Sequence, residues 1–160
     1  MPSTTMPIVQ TDRIEKQVTL DASRSRVWRA LTDVSQFNSW FGLRLTAPFV
    51  PGAEISGRMA SPKYEHVTVT IWIEQLEPEK FFSFRWHPYA IQPDVDFSAE
   101  PTTLVTFTLE DAADGTRLSI VESGFDAIPE SRRATAFAMD TKGWNGQAEN
   151  LRKFLEAQGR

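Results

Sequence analysis

The sequence contains no cysteine and only two histidines among its 160 residues. The absence of cysteine excludes disulfides, thiolate metal sites and a cysteine nucleophile. A formal net charge of −4 leaves no excess of basic residues, which argues against a nucleic-acid partner. No apolar run reaches the ~18 residues of a membrane span, and residues 1–12 lack the basic-then-apolar order of a secretory signal. We therefore expect a soluble, cytoplasmic protein with no nucleic-acid or membrane partner.

Apolar residues are plentiful and make up 41% of the chain, including eleven phenylalanines and five tryptophans. This content is sufficient for a sizeable core, and the length fits one domain of ordinary size. Residues 1–12 carry two prolines and small polar side chains, so we expect a flexible lead-in there. Residues 13–160 are predicted to form a single domain.

Alternating apolar residues predict a first strand at 13–20, followed by two short helices that end at Gly42. A series of mostly antiparallel strands comes next, broken by turns rich in proline and glycine. Ile73 and Leu76 are both apolar but three residues apart, which indicates a bulge. Residues 88–101 have no clear period and are predicted to form a long loop. These strands are predicted at 54–60, 66–77, 81–87, 103–110 and after Gly115.

The last element is predicted as a long helix over residues 130–157, and only this helix can cover the apolar face of the sheet. Gly143 and Gly146 are expected to mark a close approach or a kink, because glycine lowers helix propensity. The fold class is therefore α+β, with six or seven antiparallel strands around one long helix. The predicted apolar stripe of this helix is Phe137, Thr141, Trp144, Ala148, Leu151 and Leu155.

Seven short motifs follow one another along the chain: 27–33 (VWRALTD), 40–41 (WF), 76–78 (LEP), 82–86 (FSFRW), 115–118 (GTRL), 123–125 (SGF) and 143–144 (GW). In their order and spacing they resemble the SRPBCC (START-like, Bet v 1-like) superfamily, in the branch named for activators of heat-shock protein 90 ATPase. The resemblance extends from about residue 13 to residue 155. It implies a helix-grip fold with a cavity between the sheet and the C-terminal helix.

The leading hypothesis is that this cavity binds a small hydrophobic or aromatic molecule without transforming it. Aromatic residues at these spacings either fill a closed core or line a pocket, and the resemblance favours the pocket. The predicted ligand-binding residues are Trp40, Phe41, Phe82, Phe84, Trp86, Phe107, Glu122, Phe137 and Trp144.

Glu122 follows Leu118 and Ile120 in the inward register of the last strand, where a carboxylate is costly unless it is paired or hydrated. It is predicted to orient the ligand, or to act as a general acid or base in an enzyme of polyketide-cyclase type. Otherwise it turns outward or pairs with Arg85 or Arg58. Glu122 is the one catalytic candidate of the sequence, and a weak one.

The other polar and charged residues that could carry a function are expected to have ordinary surface roles. His66 and His87 are expected on the outward face of their strands, without a carboxylate partner. No metal site or cofactor is predicted. The loop carboxylates Asp94, Asp96 and Glu100 are expected to be solvated, and so are Arg132 and Arg133. A third hypothesis is a co-chaperone-like interaction module or a homodimer, with Trp72 as an outward contact.

Overall fold

The computed structural model describes residues 12–91 and 95–158 of the chain. Apart from Asp12, the predicted lead-in lies outside the described residues, and so does Asp94. The strands are β1 (Arg13–Leu20), β2 (Leu43–Leu45), β3 (Glu54–Met59), β4 (Thr68–Glu77), β5 (Phe81–Trp86), β6 (Thr103–Ala112) and β7 (Gly115–Ser123). The helices are α1 (Arg24–Thr32), α2 (Val34–Phe41) and α3 (Glu130–Gln158).

The seven strands form one antiparallel sheet in the order β1-β7-β6-β5-β4-β3-β2. β1 lies at an edge and pairs with β7 along its whole length, from Arg13 opposite Ser123 to Leu20 opposite Thr116. The long helix α3 covers the sheet, and the two short helices follow β1. This arrangement confirms the predicted α+β helix-grip fold.

Local signals in the sequence explain where the short helices begin and end. The Ser23 side chain accepts a hydrogen bond from the backbone N–H of Arg26 and caps α1, while Asp33 caps α2 in the same way through Gln36. Gly42 ends α2 in the left-handed conformation, with a φ of 84°, which glycine adopts without a Cβ clash. These capping residues separate α1 from α2.

The pairing of β4 with β5 contains the irregularity that the apolar pattern predicted, between Ile73 and Gln75. Beyond it the ladder extends only to Trp72 opposite Arg85, although β4 begins at Thr68. Residues 68–71 of β4 therefore have a ladder partner on the β3 side alone. The other side of this half-strand is an open edge in the sheet.

Helix α3 spans 29 residues, or about 44 Å at the usual helical rise, and reaches across the sheet. The prediction of a close approach at Gly143 and Gly146 is wrong, because a Cβ built at either position meets no atom within 4 Å. None of the helices in the described parts of the chain is long and apolar enough to cross a membrane. The buried residues of α3 are Ala136, Trp144, Ala148, Leu151 and Leu155.

Candidate functional site

A cleft of about 970 Å³ opens beside the free edge of β4. Residues from both faces of β4 border it, because no strand continues the sheet there. Its other walls come from the end of α2, from β2 and β3, from the loop after β5, and from the middle of α3. Its lining includes Phe41, Leu43, Met59, Tyr64, Val67, Val69, Trp72, Trp86, Tyr89, Ile91, Phe97, Met139, Asp140, Gly143, Trp144 and Gln147.

Three of the predicted ligand-binding residues lie together at this cleft: Phe41, Trp86 and Trp144. Their ring centroids are 5.8–5.9 Å apart, so the rings contact one another as a cluster. The cluster joins α2, β5 and α3 at one point. It places a continuous aromatic surface at the inner end of the cleft.

The other predicted aromatic residues lie elsewhere in the fold. Phe82, Phe84 and Phe107 are fully buried in the core and do not line the cleft. Trp40 is also buried, and its indole N–H donates to the carbonyl of Ala30 at 2.7 Å. The half-buried Phe137 packs edge-on against Phe125 at a centroid distance of 5.1 Å.

Glu122 lies behind the aromatic cluster and is fully buried. Its Oε1 accepts a hydrogen bond from Trp144 Nε1 at 2.8 Å. Its Oε2 accepts hydrogen bonds from Trp86 Nε1 at 2.8 Å and from the hydroxyl of Thr103 at 2.5 Å. Three donors satisfy an ionised carboxylate without a cation, so the expectations of an outward turn or an arginine partner are wrong. The guanidinium of Arg85 binds Glu74 instead.

Asp140 is the candidate residue of the cleft that the sequence analysis missed. Its Oδ2 is buried and accepts no hydrogen bond from the described residues. Burial, the charge of Glu122 and a hydrogen bond with Glu122 raise the pKa of Asp140 to about 10, although nearby Arg132 acts in the opposite direction. Asp140 is therefore a carboxylic acid at neutral pH, and its proton can be donated to Glu122.

The two carboxyl groups thus hold one negative charge and one proton between them. Three hydrogen-bond donors from other residues point at Glu122, and this arrangement favours the proton on Asp140. The proton resides on Asp140, because a second buried charge beside the first is too costly. Asp140 borders the cleft, so a ligand in the cleft reaches the pair from that side.

A regular spacing could have identified Asp140 from the sequence. Ala136, Asp140, Trp144 and Ala148 recur at intervals of four and lie on one face of α3. The predicted stripe shared Trp144 and Ala148 but began with Phe137 and Thr141, one position after Ala136 and Asp140. Ala136 is buried, whereas Phe137 is only half-buried. A charged residue on the more buried stripe was the available signal.

A guanidinium clamp holds the loop between β5 and β6 against α3. Arg132 binds both carboxylate oxygens of Glu100 and donates to the carbonyls of Pro88 and Tyr89. The exposed fractions of the two charged side chains are only 16% and 19%, so the expectation that they are solvated is wrong. The guanidinium also lies 4.6 Å from the ring centroid of Phe97, which is part of the same loop.

Replacement of Arg132 by Ala should release this loop and destabilise the protein by about 2–4 kcal/mol, because Glu100 would lose its buried partner. Arg152→Ala is the matched control, since Arg152 lies on the same helix but its pairs with Glu149 and Glu156 are exposed. That change should cost at most about 0.5 kcal/mol. Chemical denaturation measures both values, and equal losses would contradict the clamp.

Both histidines border the cleft, although the strand pattern predicts them on the outward face. His66 is exposed, whereas His87 is half-buried and its ring lies 5.6 Å from that of Trp72. Burial lowers the pKa of His87, and its Nδ1 has no hydrogen-bond partner among the described residues. Trp72 donates its indole N–H to Glu54 at 2.8 Å. Over the described ranges, no three His, Asp or Glu side chains form a group that could hold a metal ion.

Solved structures with this architecture come from several sources. MLL2253 from Mesorhizobium loti is 24% identical, with a TM-score of 0.73 over 92% of this chain and 99% of that one. DynU16, from the dynemicin biosynthetic locus, is 26% identical, with a TM-score of 0.69 over 91% of this chain and 47% of that one. The Aha1 of Colwellia psychrerythraea, solved as a dimer, is 18% identical, with a TM-score of 0.69 over 92% of this chain and 98% of that one.

These likenesses agree with the helix-grip architecture. No curated protein matches the chain in sequence. The family model described as "Activator of Hsp90 ATPase homolog 1-like protein" matches residues 21–156, which include α1, α2, all strands after β1 and all of α3 except its last two residues. The chain therefore belongs to the family of Activator of Hsp90 ATPase homolog 1-like proteins.

Proposed function

We propose that the protein binds a small hydrophobic or aromatic molecule in the cleft beside β4. The observation that carries this proposal is the aromatic cluster of Phe41, Trp86 and Trp144 beside a polar pair, at the inner end of a cleft of about 970 Å³. Small-molecule sites combine mostly apolar walls with a few polar groups that orient the ligand.

Rigid support of the cluster favours a ligand site over a loose surface groove. Both indole rings of the cluster are hydrogen-bonded to Glu122, so their positions are held from behind. The Arg132 clamp holds the loop wall on the other side. Walls that are already fixed lose little conformational entropy when a ligand binds. The affinity is higher for that reason.

The glycines of α3 provide the sharpest test of the cleft. Gly143 lines it and Gly146 does not, while both are exposed with open space around their Cβ positions. Gly143→Leu should place a side chain in the cleft and weaken binding of a neutral apolar dye such as Nile red by about tenfold, or ~1.4 kcal/mol. Fluorescence titration of the dye measures the change.

Gly146→Leu is the matched control, because it adds the same side chain one turn along without entering the cleft. Both variants should be slightly more stable than the original chain, since leucine has the higher helix propensity by somewhat under ~1 kcal/mol. Reduced binding in Gly143→Leu therefore cannot come from unfolding. Equal dye affinity in the two variants would contradict a ligand site in this cleft.

Proton transfer in the same cleft is a second candidate, favoured by the pair of carboxyl groups: burial and the neighbouring Glu122 raise the pKa of Asp140 to about 10. Such a pair can donate a proton to a bound intermediate and later recover it. The similarity to DynU16, a protein of the dynemicin biosynthetic locus, supports the proposal that the chain is an enzyme acting on a molecule bound in the cleft. Asp140→Asn should then abolish turnover while leaving binding of the neutral dye intact.

Self-association and a co-chaperone-like role remain predictions for this chain. The dimer of the Colwellia psychrerythraea protein and the name of the family support them. Sedimentation velocity over a range of protein concentrations would test the homodimer directly.

A further inference from the structure

We propose that the cleft selects cations, so that its preferred ligand is a hydrophobic amine whose ammonium group lies against Asp140. This inference rests on the proposed binding function and specifies its ligand class. It follows from the charges around the cleft, from the hydrogen-bonding groups left free in it, and from its aromatic surface.

The charges that border the cleft have one sign. The carboxylates of Glu54 and Asp96 are among its lining residues together with the protonated Asp140, and no lysine or arginine is among those the structure describes. The guanidinium of Arg132, whose charge acts on Asp140, is occupied by Glu100 and by two backbone carbonyls. The negative charge of Glu122 therefore has no cation bound to it, and an ammonium group entering the cleft would be attracted to it.

At the carboxyl pair, the described residues leave an acceptor for a ligand, because the donors that reach Glu122 are occupied. The three donors closest to the carboxyl pair, on Trp86, Trp144 and Thr103, are already bonded to Glu122. If the acid proton of Asp140 is donated to Glu122, the second oxygen of Asp140 remains as an acceptor. A ligand must then supply the N–H or O–H group, which an ammonium does and a carboxylate does not.

The aromatic cluster favours the same kind of ligand. The rings of Phe41, Trp86 and Trp144 offer faces that attract a cation through their quadrupoles. The same rings receive the apolar body of the ligand. An anionic ligand would instead place a second negative charge near Glu122 in a partly desolvated site, where the repulsion is strong.

Three naphthalene probes of similar size test the proposal: 2-naphthylmethylamine, 2-naphthylmethanol and 2-naphthoic acid, measured by isothermal titration calorimetry at pH 7. The amine should bind about tenfold more tightly than the alcohol, as expected for a charge-assisted contact, and the acid should bind least. In the double variant Glu122→Gln/Asp140→Asn the advantage of the amine should fall to about twofold or less. Binding of the alcohol shows that this variant is folded.

Asp114→Asn is the control, because Asp114 lies exposed in the turn between β6 and β7 and does not border the cleft. It should leave the order of the three affinities unchanged. If the alcohol binds but the amine binds no better, the inference is overturned while the binding function stands. If none of the probes binds, the binding function fails as well. If the amine keeps its advantage in the double variant, Asp140 is not the site of the contact.

Discussion

Replacing Asp140 by Asn should make the protein more stable at pH 7 than the original chain, with a larger gain at pH 9. In the folded protein, burial and Glu122 raise the pKa of Asp140 to about 10, whereas its ordinary value is 3.8. Between these values the folded chain keeps a proton that the unfolded chain has lost. The free energy of unfolding therefore falls as pH rises, by up to ~1.4 kcal/mol per unit for this group. Asn has no such proton and can still donate to Glu122.

Urea denaturation of both proteins at several pH values from 5 to 9 measures this effect as the difference between two slopes. Asp114→Asn is the matched control, since Asp114 is exposed in the turn between β6 and β7. The free energy of unfolding of this variant should change with pH at the same slope as that of the original chain. A slope for Asp140→Asn that also matches the original would show that Asp140 is ionised in the folded protein, contrary to our assignment.

Replacing Glu122 by Ala should destabilise the protein by about 3–5 kcal/mol, although it removes a buried charge. The indoles of Trp86 and Trp144 and the hydroxyl of Thr103 would lose their acceptor, and each unsatisfied buried donor costs ~1–3 kcal/mol. The cavity left by the side chain adds to this cost. The substitution also removes the unfavourable interaction of Glu122 with the neighbouring Asp140, and this offsets part of the loss of stability.

Chemical denaturation at pH 7 measures this loss. Glu110→Ala is the control, because Glu110 is an exposed residue of the neighbouring strand β6, and it should change stability by at most about 0.5 kcal/mol. Glu122→Gln should fall between the two, since the amide keeps one acceptor oxygen but turns an N–H₂ group toward donors. A loss under ~1 kcal/mol for Glu122→Ala would mean that the three donors find other acceptors.

The architecture could be predicted from local patterns, because each helix or strand begins, continues or ends for reasons that lie in neighbouring residues. Alternation of apolar residues marks the strands, Ser23 caps α1, and Gly42 ends α2. The extra residue between Ile73 and Leu76 indicated the irregularity that the ladder of β4 and β5 contains. In each case the physical cause acts within a few residues of the chain, so the sequence carries it directly.

The site could be predicted only in part, because its chemistry depends on distant residues. The register of β7 indicated that Glu122 points inward, but its three donors come from β5, β6 and α3. Asp140 looked like an ordinary charged residue of an amphipathic helix. Its retained proton depends on burial beside Glu122, eighteen positions away in the sequence.

The amino-acid pattern alone therefore established the sheet, the long covering helix and the inward direction of Glu122. The packing of α3 on the sheet decided which aromatic side chains fill the core and which border a cleft. It also brought Asp140 to Glu122 and Arg132 to Glu100. Hydrogen bonds and desolvation act over a few ångströms in space, and only the folded chain brings these groups within that distance.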